Sequence, residues 1–217
     1  MSEITTVNHK IQKHIIDLLT YTEIARYSEL RPPRIDTNLF SYHLNVLVKV
    51  GIVVKVEGGY TLGVAGLAYV DQVSTQPKII TMLLIQNGEG DILLQRRTKQ
   101  PYINTWTLPY GKIHSDDTSL EAATQRITFE KLGLSDQTVT HAGDCYIRVM
   151  AGDKLISMTM VHVFKFNSDD IVTTDDLVWA RPHKLSQYRL APAVEQIMTR
   201  GFFNDPFFFE EFESEWV

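Results

Sequence analysis

Glu121, Arg126, Glu130 and Lys131 lie close together along one helical stretch, with Asp116 and Asp117 just ahead of it. Carboxylates three or four residues apart share a helix face, and several hard oxygen ligands on one face are what Mg²⁺ requires. The chemistry such a set serves is divalent-metal-assisted catalysis. Here Glu130 alone remains on that face. Arg126 is four residues before it, within ion-pair reach, and Lys131 is adjacent, so a fixed cation is expected where a metal would be held. Asp117 is the second candidate metal ligand, and together with Asp116 or Glu121 it compensates if its loop folds back. Arg96 and Arg97 are candidate phosphate partners, because a guanidinium grips phosphate oxygens in a fork. One of the two is expected to point outward, since neighbours on a strand face opposite sides. Arg126, if unpaired, would also hold a ligand phosphate. Trp106 either stacks on a base or fills the core, and core packing is the simpler reading.

The elements that must position these groups read clearly. Lys78 to Gln86 and Asp91 to Gln95 are apolar runs around Asn87-Gly88-Glu89-Gly90, a hairpin pattern. Ser157 to Phe166 is β-rich, and a helix is expected near Pro192 to Thr199. The stretch Trp106-Thr107-Leu108-Pro109-Tyr110-Gly111-Lys112-Ile113, continuing to Glu130-Lys131-Leu132-Gly133-Leu134, resembles the signature of the Nudix superfamily, G-x5-E-x7-R-E-U-x-E-E-x-G-U with U apolar. Leu93-Leu94-Gln95-Arg96-Arg97 is similar to the strand before that box, and Val178-Trp179 through His183-Lys184-Leu185 to the family's closing loop. Tyr110 stands where the family has the first of two glycines, a point at which the resemblance implies a need for glycine's backbone freedom.

Counted forward from Gly111, Asp117 takes the place of the loop Glu and Gln125 that of the Arg; counted back from Gly133, Arg126 is the Arg and Glu130-Lys131 the final acidic pair. The counts differ by one residue, so an extra residue lies within the helix as a π-bulge or in the loop before it. In either register most of the box carboxylates are absent. The resemblance implies a mixed-sheet α/β/α sandwich over about residues 78 to 200 and a ligand made of a nucleoside diphosphate linked to another group. It implies Glu130 as the one catalytic candidate, and Mg²⁺ held weakly or not at all.

The preceding sequence is of another kind. Asn8 to Leu19 reads as an amphipathic helix, Thr22 to Leu30 as a short second helix stopped by Arg31-Pro32-Pro33, and Asp36 or Thr37 to Val50 as a third. On the third, Phe40, Leu44, Leu47 and Val48 face inward while Asn38, Ser41, Tyr42, Asn45 and Lys49 make a polar stripe. Ile52 to Glu57 and Tyr60 to Leu62, alternating around Gly58-Gly59, form a hairpin. Three helices and a hairpin resemble an ArsR-like or MarR-like winged helix, which implies that the stripe enters the major groove of double-stranded DNA while Lys49 and Lys55 meet phosphates. Seven Lys and Arg balance seven Asp and Glu through residue 75, so the net charge of −5 comes from the remainder. That argues against the second half lying on nucleic acid.

The expected architecture is α+β: a winged helix-turn-helix over 1–75 and a Nudix-like domain over 76–217, joined by Gln72 to Pro77. One cysteine, Cys145, fits a reducing cytosol and a small strand residue better than a reactive thiol. No stretch is long and apolar enough for a bilayer, which points to a cytoplasmic chain without membrane partners. His162 on its apolar strand reads as a satisfied histidine. The aromatic tail from Gly201 to Val217 is expected to pack on its own domain, with a dimer contact as the alternative; a homodimer is expected, as in other winged-helix proteins. Two functions follow. The first is a transcription regulator whose degenerate Nudix domain senses a nucleotide-derived metabolite; it is similar to the Nudix-related regulators of NAD and sugar metabolism, with the domain order reversed. The second is an active pyrophosphohydrolase with an unorthodox Mg²⁺ site, the winged helix serving dimerisation.

Overall fold

The computed structural model describes residues 7–71, 76–202 and 207–216. The chain opens with helix α1, Lys10–Thr20, whose start is fixed by a capping box: the His9 ring accepts from the Ile11 N–H and the Gln12 side chain accepts from the His9 N–H. Ile11, Ile15, Ile16 and Leu19 form its buried face. The second helix, α2, spans only Tyr27–Leu30. The residues expected to begin it are extended instead, because Ala25 and Tyr60 exchange both backbone hydrogen bonds at 2.9 Å, adding a short third edge to the hairpin.

Helix α3, Thr37–Lys49, starts on Asp36, whose Oδ1 accepts from the Asn38 and Leu39 N–H groups at 2.9 and 3.0 Å. It buries Phe40, His43, Leu44 and Leu47. Strands β1, Val53–Val56, and β2, Gly59–Leu62, pair antiparallel with Val56 opposite Gly59, so the turn is Glu57-Gly58, one residue earlier than the sequence suggests. Gly59 is needed inside the strand: a Cβ there would lie 2.3 Å from the Ala25 carbonyl oxygen. A helix the sequence reading missed, α4, Val64–Val70, follows and lies against the large sheet.

That sheet contains β3 Lys78–Gln86, β4 Ile92–Arg96, β5 Trp106–Thr107, β6 Tyr110–Lys112, β7 Thr140–Ala151, β8 Lys154–Asn167, β9 Leu177–Ala180 and β10 Phe208–Glu215. Its main order is β10-β7-β8-β3-β4-β5, with β6 paired to β3 and β9 to β4. It is mixed: β3 runs parallel to β8, and β10 parallel to β7. Helix α5, Leu120–Leu132, covers one face through Ile127, which packs with Leu83, Ile85 and Phe164. On the other face Ile80, Met82, Ile147, Val149, Val161 and Val163 join a core shared with the N-terminal helices. A 3-10 helix, Pro182–Gln187, and α6, Val194–Phe202, complete the chain. The tail packs on its own sheet as strand β10, leaving Phe207 and Phe209 exposed; residues 203–206 of that expectation, and 72–75 of the joining segment, lie outside the described residues. Cys145 is fully buried in β7, and burial, reinforced by Asp144, pushes its thiol up to about 12.

Candidate functional site

A cleft of about 930 Å³ opens beside β3, the end of β4, β6 and α5, and is also lined by Asp17 and Thr20 of α1 and by its C-cap Tyr21. Helix α5 is placed against β6 by close approach. A Cβ on Gly111 would lie 2.6 Å from the Ile127 side chain, so only glycine lets the two elements touch. Tyr110 beside it keeps an ordinary strand conformation, so glycine's freedom is not required there, and its hydroxyl accepts from Arg97 Nη1 at 2.7 Å.

Helix α5 is α-helical throughout and is capped by Ser119, whose Oγ accepts from the Ala122 N–H, and by Gly133 at φ +71°. The extra residue of the box therefore lies in the loop, not in a π-bulge. The loop folds back. Asp117 takes a two-pronged contact from Arg126, Nε to Oδ1 at 2.8 Å and Nη2 to Oδ2 at 2.7 Å, and also accepts the His114 N–H. Arg126 further reaches Glu130 at 3.2 Å and the Lys112 carbonyl at 2.9 Å. The Arg126 hydrogen bond, then the His114 N–H, hold the Asp117 carboxyl well below the usual carboxylate range, and Asp117 in turn raises Arg126.

Asp117 and Glu130 converge as a metal pair would, but a guanidinium already stands between them. Mg²⁺ needs several oxygens with free lone pairs in an octahedron, and these residues do not fit it. Arg126 does not meet its condition as a phosphate ligand, since four of its five N–H donors are engaged.

Arg97 turns into the cleft, where it also donates to the Pro101 carbonyl and lies over the Tyr102 and Tyr110 rings. Arg96 contributes to the wall, but its guanidinium is held by Asp176 at 2.6 Å. Trp106 is not at the cleft. It pairs with Arg96 on the strand ladder while Thr107 faces the cavity, so alternation turns its ring the other way, edge-on to Tyr188.

What the sequence reading missed is the density of positive charge. Lys78, Arg96, Arg97, Lys99, Lys112, Arg126 and Lys131 line the cleft against Asp17, Asp71 and Glu130, seven against three, in a chain of net charge −5. Lys78 is paired with Asp71. Among the described residues Lys99, Lys112 and Lys131 have no carboxylate partner. Partial desolvation, and after it the neighbouring cations Lys112, Arg97, Lys78 and Lys131, lower the Lys99 pKa. The signal of this charge density in the sequence was the run of cations continuing past Arg97 to Lys99.

The two halves also touch directly. The Gln100 N–H donates to the Thr20 carbonyl at 2.8 Å, and Asn104 Nδ2 donates to Glu23 at 3.0 Å. On α3, Asn38, Tyr42, Asn45 and Lys49 are exposed, as is Lys55 on the hairpin. Ser41 departs from the expected stripe: it is half-buried, with its Oγ 2.7 Å from the Tyr27 hydroxyl.

The model of the NUDIX domain family matches residues 76–202, more than half of the chain. Among solved structures, a MutT protein from Bacillus halodurans is 17% identical with a TM-score of 0.52, covering 63% of this chain and 89% of that one. The NUDIX domain of Shewanella oneidensis NrtR, solved with ADP ribose, is 16% identical with a TM-score of 0.48 over 59% of this chain and 88% of its own. NrtR complexed with a 27mer DNA is 16% identical with a TM-score of 0.46 over 57% and 59%. At 17% identity the likeness to the Bacillus halodurans protein speaks for the fold alone. No helix among the described residues is long and apolar enough to cross a membrane.

Proposed function

The chain belongs to the NUDIX domain family, and from that premise we propose that it is a regulator in which a NUDIX domain holds a phosphate-bearing, nucleotide-derived ligand without cleaving it and an N-terminal winged helix answers on DNA. The observation that carries the reading is Arg126. Its guanidinium holds Asp117 and Glu130, the carboxylates that would otherwise gather a metal, and so removes the hard oxygen ligands hydrolysis needs while the cleft stays strongly cationic. Lys99, Lys112 and Lys131, with Arg97, supply the charge for phosphate oxygens.

Ligand binding would reach DNA through α1. Its residues Asp17 and Thr20, with the C-cap Tyr21, line the cleft, and the same helix packs on α3, which carries Asn38, Tyr42, Asn45 and Lys49. A ligand that draws α1 toward the sheet would bias the presentation of α3, and a ligand shifts such an equilibrium only by its differential affinity for the two states. The domains are assigned as 1–75 and 76–217, acting as a homodimer on a two-fold site.

The test has two stages. A thermal-shift screen of ADP-ribose, NAD and nucleotide sugars finds a ligand, because binding the native state raises its apparent stability. Fluorescence anisotropy on a duplex selected from a random pool then measures DNA affinity with and without it. A change of about five-fold or more is expected, within the usual range of coupling energies. Asn45→Ala should relax sequence preference and Lys55→Ala should weaken all sequences. Equal DNA affinity at saturating ligand sinks the regulator, and Mg²⁺-dependent cleavage of the ligand restores the hydrolase.

A further inference from the structure

We propose that His141, Asp144 and His162 form a binding site for a borderline divalent transition-metal ion of the Zn²⁺ class, separate from the cleft. One ligand atom from each lies within 4.8 Å of the other two. His141 Nε2 and His162 Nδ1 both point at Asp144 Oδ1, at 2.8 and 2.7 Å. The site sits across β7 and β8, where Asp144 and His162 are direct cross-strand partners. His162 follows Val161, which lines the cleft, so its ring points to the other face of the sheet.

The convergence depends on an irregularity in the strand. Residues three apart on a regular strand face opposite sides, which would separate His141 from Asp144. The register of β7 on β8 shifts between His141 and Gly143, leaving Ala142 as an extra residue that re-aims His141 onto the face of Asp144. Bulges are placed this way next to functional groups. The ring is then fixed by Phe164, stacked at 4.5 Å, and by the edge of Phe207 at 5.0 Å.

The ligand chemistry selects the metal. Two imidazoles and one carboxylate suit Zn²⁺, Co²⁺ or Ni²⁺ and not Mg²⁺, which takes oxygen. Among the described residues no Lys or Arg pairs with Asp144, so a metal cation held by the two rings would be the counter-charge to its carboxylate. Tetrahedral coordination with bonds of about 2.0–2.2 Å sets ligands roughly 3.3 Å apart, so each imidazole nitrogen needs to draw back from the Asp144 oxygen by about half an ångström. Side-chain exposures of 30%, 21% and 17% leave room for entry and for a fourth ligand from solvent.

Calorimetric titration of the full chain with ZnCl₂ should give one site per chain, weakened at least about ten-fold in Asp144→Asn and in His162→Gln. Glu130→Gln, in the cleft, should leave the Zn²⁺ affinity unchanged. The wild-type protein with Co²⁺ should develop the visible bands of a four-coordinate site, bleached by added Zn²⁺; this measurement decides the matter if either variant proves unfolded by circular dichroism. No Zn²⁺ heat together with no Co²⁺ bands, or binding unaltered in both folded variants, overturns the site and leaves a carboxylate that merely accepts two imidazole hydrogen bonds.

Discussion

Two clusters, one on α5 and the loop before it and one on the sheet, hold carboxylates and differ in what neutralises them. Around Arg126, Asp117 and Glu130 face a guanidinium fixed by four hydrogen bonds, one of them to the Lys112 carbonyl. Around Asp144 the partners among the described residues are imidazole rings, whose nitrogens can donate a proton or give it up and bind a metal. The cleft keeps the position expected of a metal site and fills it with an arginine. The second cluster has ligands and, among the described residues, no permanent cation. The comparison teaches that the counter-charge decides whether a carboxylate can hold a metal, and that counting carboxylates does not.

The largest effect should come from removing the guanidinium. Arg126→Met keeps much of the aliphatic stem and deletes the charge, leaving Asp117 and Glu130 repelling one another with their lone pairs free. Mg²⁺ affinity measured by calorimetry should rise by at least about ten-fold over the wild type, since a metal then replaces the missing cation. The Zn²⁺ isotherm of the other cluster should not move. A variant that folds and gains no Mg²⁺ binding would break the comparison, because the loop or the helix, and not the counter-charge, would then be what excludes metal.

Much of this contrast was legible in the residue order, and the illegible part has physical causes. Arg126 and Glu130 four apart on a helix announce an ion pair, and Gly111 and Gly133 bracket the segment. The partnership of Arg126 with Asp117 was weaker as a signal, because it depends on a loop folding back over nine residues and on the His114 N–H holding it there. The His141 contribution could not be read from alternation at all, since it rests on a bulge that breaks the period of two. The same limit explains the second helix, where Ala25 pairs with Tyr60 of the hairpin and tertiary pairing overrides local helical pattern. The α4 segment Val64–Val70 has no side-chain N-cap, and Gly66 within it is required because a Cβ there would lie 2.1 Å from the Ile52 carbonyl oxygen. Neither cue suggests a helix from sequence.

A smaller effect concerns acid. The Asp117 carboxyl is depressed in the folded protein, chiefly by the Arg126 hydrogen bond and next by the His114 N–H. A group whose folded pKa lies below its unfolded value, near 3.8, contributes stability at higher pH and loses it as pH falls toward the folded value. Asp117→Asn should therefore lower Tm at pH 7, and the gap from wild type should narrow steadily once the pH drops below about 4. A gap that stays constant down to pH 2 would mean that Asp117 acts as a neutral hydrogen-bond acceptor and that charge on this side of the comparison is irrelevant.

The smallest effect separates the two carboxylates that share Arg126. Glu130 has a half-exposed side chain and one contact at 3.2 Å, whereas Asp117 is 5% exposed and gripped through both oxygens. The Arg126–Glu130 pair has the cation first along the helix, the weaker of the two orientations. Exposed helix pairs of this spacing contribute about 0.3–0.5 kcal/mol, so Glu130→Gln should shift Tm by no more than about 2 °C and less still in high salt, where surface charges are screened. Asp117→Asn should cost more than Glu130→Gln at pH 7, and the double variant should cost little beyond Asp117→Asn alone if the aspartate positions the guanidinium for the glutamate. The reverse order would make Glu130 the anchor, with Arg126 held from the helix and not from the loop, and Asp117 would then be the carboxylate free to meet a metal.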